Sequence, residues 1–330
     1  MIILFATATF QRQYGLLQKT ENILEAWPKL KADEKLYEWL LSEEREEDWF
    51  MLLDSGVFST WTLGHEVDLD AYSEYCKKGL EDNAFNAVVG VDVIPGEYGR
   101  VPTKEEVLAS AAKGWDNFLC LVEEKGLPAD KVVHVFHQGE DFAWLEKLMA
   151  YHDKQLAEGK EGLYIGLSPA NDRTTKQKIL WLEQVMPYVT NPDGSARVKW
   201  HGFGVTSFDI LRRYPWFTAD STSWMRPGAY GQIRVPLPGK RYIDSKLQVS
   251  VTAGCGITQA SRHYGSLSDK EKVAVHDYLE QLGLTIEDVA QDENLGVLAR
   301  QTANVHYFKV INKELNEMDT RWKPIQATFI

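Results

Sequence analysis

The stretch from Tyr214 to Trp224, YPWFTADSTSW, sets the reading of the whole chain. Two aromatics and a Thr-Ala pair after Pro215 describe a short buried strand, which delivers Asp220 into a polar Ser-Thr-Ser segment. An acid at the exit of an apolar strand is a site candidate. The same grammar occurs far earlier, where Trp49 to Leu53 runs into Asp54-Ser55-Gly56-Val57-Phe58-Ser59 and then Trp61. Parallel strands of one barrel present their C-terminal ends on one rim, so the two carboxylates would emerge together as a paired-carboxylate site.

Working outward, strand-like runs alternate with helix-like stretches. Met1 to Ala6 reads as a first buried strand, and Asn86 to Ile94, NAVVGVDVI, as another with Asp92 near its end. Val132 to His137 runs into His137-Gln138-Gly139-Glu140, Gly162 to Leu167 is GLYIGL, and Val198 to Val205 is VKWHGFGV with Gly202 and Gly204 at its end. Between them, Thr20 to Leu41 carries apolar residues at near-helical spacing broken by Pro28, and the acidic run Glu43 to Asp48 reads as a solvated loop or helix end. Thr103 with Glu106 is a capping box that opens a helix toward Gly126. Thr174 to Tyr188 reads as a helix, Asn191-Pro192-Asp193-Gly194 as a turn, and Asp209 to Tyr214 as a short helix.

Strands separated by helices of this size predict a parallel sheet with right-handed crossovers. Seven of them, with acids at their C-terminal ends, favour an α/β fold of the (β/α)8 TIM-barrel type over residues 1–245. The eighth strand falls in Tyr230 to Pro236 or Leu247 to Ala253, and the sequence does not choose. Residues 246–330 read as a C-terminal helical region packed on the barrel, with capping boxes at Ser268/Glu271 and Thr285/Asp288 and a long helix into Glu317.

Composition narrows the function. The 330 residues are 44% hydrophobic, enough to bury a large core, and 36 basic against 48 acidic residues give a net charge of -12. That balance argues against bulk electrostatic capture of nucleic acid and leaves room for a local basic face. Cys76, Cys120 and Cys255 are widely spaced, as suits a reducing compartment, and offer neither a disulfide framework nor a zinc knuckle. The apolar start is too short for a signal peptide and no later run reaches spanning length, so a cytoplasmic protein is expected.

A strand-end aspartate can simply cap the next helix. Around Asp54 and Asp220 that reading is weaker, because Ser, Thr and Gly crowd both and supply backbone donors. Gln138 gives and accepts hydrogen bonds at once, which suits the edge of a planar heterocycle; it is also compatible with a structural role. Gly202 and Gly204 fit tight packing or the close approach of a ligand to backbone. Phe58, four residues past an acid at a barrel mouth, is placed to stack on a flat ligand, although such aromatics more often join a core. His134, His137 and His201 form no HxH or HExxH set, and no Walker loop, GxGxxG or GxSxG elbow is present.

These motifs, DSGVFS at Asp54, VVGVD at Asp92, FHQG at Gln138, YIGL at Tyr164 to Leu167, HGFGV at Gly204 and DSTSW at Asp220, stand in the order seen in the tRNA-guanine transglycosylase superfamily. From Asp54 to Trp224 the chain most resembles its DNA-directed branch, the DNA 7-deazaguanine transglycosylases. The resemblance implies exchange of guanine in DNA for a 7-deazaguanine such as preQ0, with no cofactor. It makes Asp220 the nucleophile at the sugar C1′ and Asp54 the general acid/base. Ser55, Asp92, Gln138 and the Gly204 backbone would hold the base edge, with Phe58 stacked on it. Arg212, Arg213, Arg226, Lys240 and Arg241 flank the Asp220 strand as phosphate contacts or as ordinary solvated surface.

The chain departs from the family in two places. Members that act on tRNA carry a CxCxxC…H zinc site where this chain has only Cys255 with His263 nearby, so no structural zinc is expected; and DSGGFQ is DSGVFS here. Exchange in tRNA, a hydrolase that leaves abasic sites, and a non-catalytic nucleic-acid-binding subunit are the alternatives; helper proteins or a homodimer are compatible with all.

Overall fold

The computed structural model describes residues 1–6, 22–41, 49–97, 100–205, 207–245, 247–252 and 261–325. Eight parallel strands close a barrel in sequential order: β1 Ile2–Ala6, β2 Ile23–Ala26, β3 Met51–Asp54, β4 Ala87–Val89, β5 Val132–His137, β6 Tyr164–Ser168, β7 Lys199–Gly202 and β8 Thr218–Ser221. The helices between them are α1 Trp27–Ala32, α2 Glu34–Leu40, α3 Val57–Thr62, α4 Leu69–Glu81, α5 Lys104–Leu119, α6 Phe142–Ala157, α7 Thr175–Val189 and α8 Phe208–Leu211. This is the (β/α)8 architecture that the alternating pattern predicts. The cylinder closes where Ile2 N–H donates to the Phe217 carbonyl at 2.9 Å.

Side chains alternate in and out along each strand. One parity fills the barrel: Leu4, Leu24, Leu52, Ala87, Val89, Val133, Val135 and Tyr164 belong to a single buried cluster. Continuing the same parity by two residues takes Leu52 to Asp54 and Val135 to His137, so the packed floor gives way to polar groups at the strands' C-terminal ends.

Two expectations need correction. The second strand is Ile23–Ala26, inside the stretch that its spacing assigns to a helix. Ile23 pairs with Phe5 on one side and Met51 on the other. Pro28 does not break a helix there; it lies in the first turn of α1, where a missing N–H costs nothing. A new helix then starts at Asp33, whose carboxylate accepts from Leu36 N at 3.1 Å. Since β2 restores the missing strand, Asp220 lies on the eighth. The two stretches weighed for that position instead contain β9 Gln232–Val235 and β10 Leu247–Ser250, an antiparallel pair in a separate three-stranded sheet with β11 Ser261–His263.

The chain divides into two compact units at Asp220/Ser221. The first holds the barrel. The second holds the small sheet with α9 Met225–Ala229, α10 Asp269–Glu280, α11 Ile286–Ala290 and α12 Asn294–Asn316. Several of its buried polar groups are satisfied within the unit. Arg300, 2% exposed, donates to the carbonyls of Gly228, Val289 and Gln291 at 2.6–2.8 Å. Asn304 receives Arg234 N and donates to the Gln232 carbonyl. The capping boxes at Thr103, Ser268 and Thr285 all form. Among the described residues, no helix is long and apolar enough to cross a membrane.

Leu52 is fully buried in the barrel cluster. Leu52→Ala is expected to lower unfolding free energy by about 2–5 kcal/mol through lost transfer energy and an unfilled cavity, measured by denaturant titration. Leu108→Ala, at a side chain 54% exposed, is expected to stay within about 0.5 kcal/mol of wild type.

Candidate active site

β3 ends in Asp54, and the chain turns at once. Gly56 adopts φ +76°, donates its N–H to Asp54 Oδ1 at 2.7 Å, and starts α3. A Cβ at Gly56 would lie 2.5 Å from Pro28 Cδ, so the turn needs glycine both for its conformation and for space. Burial pushes the Asp54 carboxyl up to about 7; the Gly56 hydrogen bond opposes this, and the charges of Asp92, Asp220 and Glu25 add to it. Glu25 is itself fully buried on β2 and paired with Lys29 Nζ at 2.9 Å.

Asp220 sits in a different environment. Its Oδ1 accepts from Gly204 N at 2.8 Å and lies 3.3 Å from His201 Nε2. Gly204 follows β7 with φ +60°, a left-handed turn that brings its N–H back onto the carboxylate. Asp92, just beyond β4, meets His137 Nε2 through Oδ2 at 2.9 Å, and His137 Nδ1 meets Glu140 Oε1 at the same distance. Burial alone would lower the His137 imidazole, but hydrogen bonds and charge from Asp92 and Glu140 outweigh it and raise the group to about 10. An imidazolium therefore sits among the acids of the rim.

A cavity of about 190 Å³ opens beside Asp54 and Asp92, lined by Asp54, Ser55, Phe58, Asp92, His137 and Phe203 over a floor that includes Val89 and Val135; Asp220 is not among its lining residues. Ser55 is buried, whereas Phe58 is 61% exposed. Phe58 and Trp61 rings lie 6.0 Å apart, and Trp61 Nε1 is anchored on the Gly96 carbonyl at 2.8 Å. A neighbouring cavity of about 410 Å³ shares Val57, Asp92 and Ile94 with the first.

The remaining expected site residues lie outside that cavity's lining. Gln138 does not line the 190 Å³ cavity; its Oε1 accepts from Ala170 N and its own N–H donates to the Ser168 carbonyl, both at 3.0 Å. Gly204 is outside that lining too, and its N–H is committed to Asp220. Arg212 pairs with Asp209, and Arg213 with Glu183 at 3.0 Å, both in the barrel unit. Arg226, Lys240 and Arg241 belong to the second unit; all three are exposed, and Arg241 pairs with Asp244 at 2.9 Å. Cys255 lies outside the described residues. His263, on β11, accepts Gly265 N at Nδ1. Among the described residues no cluster of His, Cys, Asp and Glu could hold a metal ion.

Sequence reasoning assigned no role to His137, Glu140, His201, Phe203 or Glu25. Three of them carry a signal in the strand pattern: His201 and Phe203 share one face of β7 and its exit, and His137 continues the Val133–Val135 face. A scan against family models finds no match, and a search of curated proteins finds none either.

A carboxyl at about 7 when folded and near 4 when unfolded binds more protons in the native state between those values. Stability is therefore fully supported below about pH 4 and declines as pH rises through about 7. Asp54→Asn keeps the Gly56 contact and removes the buried charge. It is expected to be more stable than wild type at pH 8 by about 1–3 kcal/mol, with the difference shrinking toward pH 4 in denaturant titrations.

Proposed function

We propose that the barrel mouth is a base-exchange transglycosylase site, replacing guanine in DNA with a 7-deazaguanine such as preQ0. The observation that carries this reading is two aspartates in unlike settings at the barrel's C-terminal end: Asp54, a carboxyl held near neutrality that feels the charge of Asp220 and lines a cavity walled by an exposed aromatic ring, and Asp220, whose Oδ1 accepts the Gly204 N–H. Two carboxyl groups in unlike environments supply an acid and a nucleophile at one pH.

In the proposed reaction an Asp220 oxygen attacks C1′ of the target nucleotide. The C1′–N9 bond breaks with its electron pair going to guanine, and protonated Asp54 delivers the compensating proton. The sugar is now esterified to Asp220. The incoming base gives its N9 proton to Asp54 and attacks C1′ with the freed pair, which releases Asp220 and leaves configuration at C1′ retained. Asp92, fixed by His137, faces the base through its other oxygen, and Phe58 offers a stacking surface. The guanine must first leave its stack, at a cost of a few kcal/mol. The choice of DNA over tRNA rests on the motif resemblance and on the absence of the CxCxxC run.

The test is to incubate duplex DNA and tRNA, each with labelled guanine, with and without preQ0. Release from DNA only with preQ0, and its loss in Asp220→Ala, is the expected result. Release from tRNA alone would transfer the activity to that substrate; release without preQ0, leaving abasic sites, would make the protein a hydrolase; silence on both would sink the proposal. In single turnovers, guanine release is expected to fall as pH rises through about 7, because the first step needs protonated Asp54. Asp54→Asn is expected to lose about 100-fold or more and to lose that pH dependence.

A further inference from the structure

Below Asp220, three polar side chains inside the barrel have no part in the chemistry above. Tyr164 on β6, His201 on β7 and Thr218 on β8 are 2%, 0% and 0% exposed. The Tyr164 phenol hydrogen-bonds Thr218 Oγ1. The same oxygen lies 2.6 Å from His201 Nδ1, and His201 Nε2 lies 3.3 Å from Asp220 Oδ1. Buried polar groups are costly unless paired, and these four side chains pair with one another in a single line.

We propose that Tyr164, Thr218 and His201 form a positioning relay for the nucleophile: the His201 ring presents Nε2–H to Asp220 Oδ1 and leaves Oδ2 as the oxygen that attacks C1′. The proposal rests on the reading of Asp220 as nucleophile.

The polarity of the line follows from its carboxylate end, and the phenol end accommodates it. A carboxylate offers only acceptors, so the ring must carry its proton on Nε2. At the other end, burial raises the Tyr164 phenol far beyond its ordinary range, against the Thr218 hydrogen bond, so it keeps its proton. With the Tyr164 O–H directed at Thr218 Oγ1, one of the two directions open to that pair, the Thr218 hydrogen is free to go to His201 Nδ1, as an Nε2–H ring requires. In that arrangement Nδ1 accepts and Nε2 carries the proton, as the carboxylate end requires. Phe203 packs edge-on to the His201 ring at 4.3 Å between centroids, which limits rotation of the ring. Both contacts to Asp220, from His201 and from Gly204, fall on Oδ1; Oδ2 receives none among the described residues. A carboxylate held by one oxygen has a fixed trajectory for the other.

The experiment joins a spectroscopic and a kinetic reading on the full chain. With 15N-labelled histidine, long-range 1H–15N correlation of His201, assigned through His201→Gln, is expected to show the Nε2–H tautomer in wild type and its loss or mixing in Thr218→Val. In the preQ0-dependent guanine-release assay, Thr218→Val is expected to lower kcat by about tenfold or more with KM for preQ0 within about twofold, as for loss of one preorganised donor. Thr218→Ser keeps the hydroxyl and is expected to restore most of the loss. An Nδ1–H tautomer in wild type would overturn the relay, and so would a Thr218→Val enzyme that is folded by circular dichroism and as fast as wild type. If wild type releases no guanine from DNA or tRNA, the proposed reaction fails; the tautomer and its response to Thr218→Val then decide the hydrogen-bond line by themselves.

Discussion

The register in which the last strand meets the first governs everything at the mouth. Ile2 N–H reaches the Phe217 carbonyl and closes the cylinder, and the residues that follow, Thr218 and Asp220, then fall on the inner face. Strand periodicity is two, so a slip of one residue would turn both outward and bring Ala219 in. No local feature of the Asp220 segment could compensate. The carboxylate is placed by a bond between strands more than two hundred residues apart in sequence, which makes the site a property of the closed barrel.

Within that frame the acids are differentiated by what surrounds them. Asp54 is paired with a single backbone N–H and sees the charges of Asp92, Asp220 and Glu25, so the proton it holds near neutrality relieves a crowded field. Asp92 is answered by His137, which Glu140 orients from behind. Asp220 is met by Gly204 and by a histidine at the top of a buried hydrogen-bond line. Three carboxyl groups at the C-terminal ends of β3, β4 and β8 thus have three different counterparts, and the difference arises from loop conformation and barrel interior more than from the acids themselves.

Much of this was legible in the sequence. The strand-end position of Asp54, Asp92 and Asp220, the capping boxes and the Asn191–Gly194 turn depend on local chemistry, and local chemistry is what a sequence displays. The second strand was not legible. Ile23, Leu24, Trp27 and Leu30 keep helical spacing across a strand-to-helix junction with no intervening loop, and Glu25 puts an acid on a buried face, where it pairs with Lys29 from the next helix. Missing it pushed the search for the eighth strand downstream into the second unit's sheet. His201 and Thr218 were equally hidden. Their meaning is a contact between two strands, and a histidine with no second ligand nearby in sequence gives no sign that its partners are a threonine, a tyrosine and an aspartate.

The 190 Å³ cavity carries a consequence for kinetic order. It is smaller than pockets that enclose a drug-sized ligand and has room for one flat bicyclic ring system at a time. The proposed ester intermediate runs as a ping-pong sequence, in which guanine departs while the sugar stays esterified to Asp220, and a cavity of this size suits a replacement that enters after it. Guanine and the incoming base would accordingly compete for one enzyme form, and the lifetime of the ester, set against water reaching it, would decide how often exchange ends in a bare sugar.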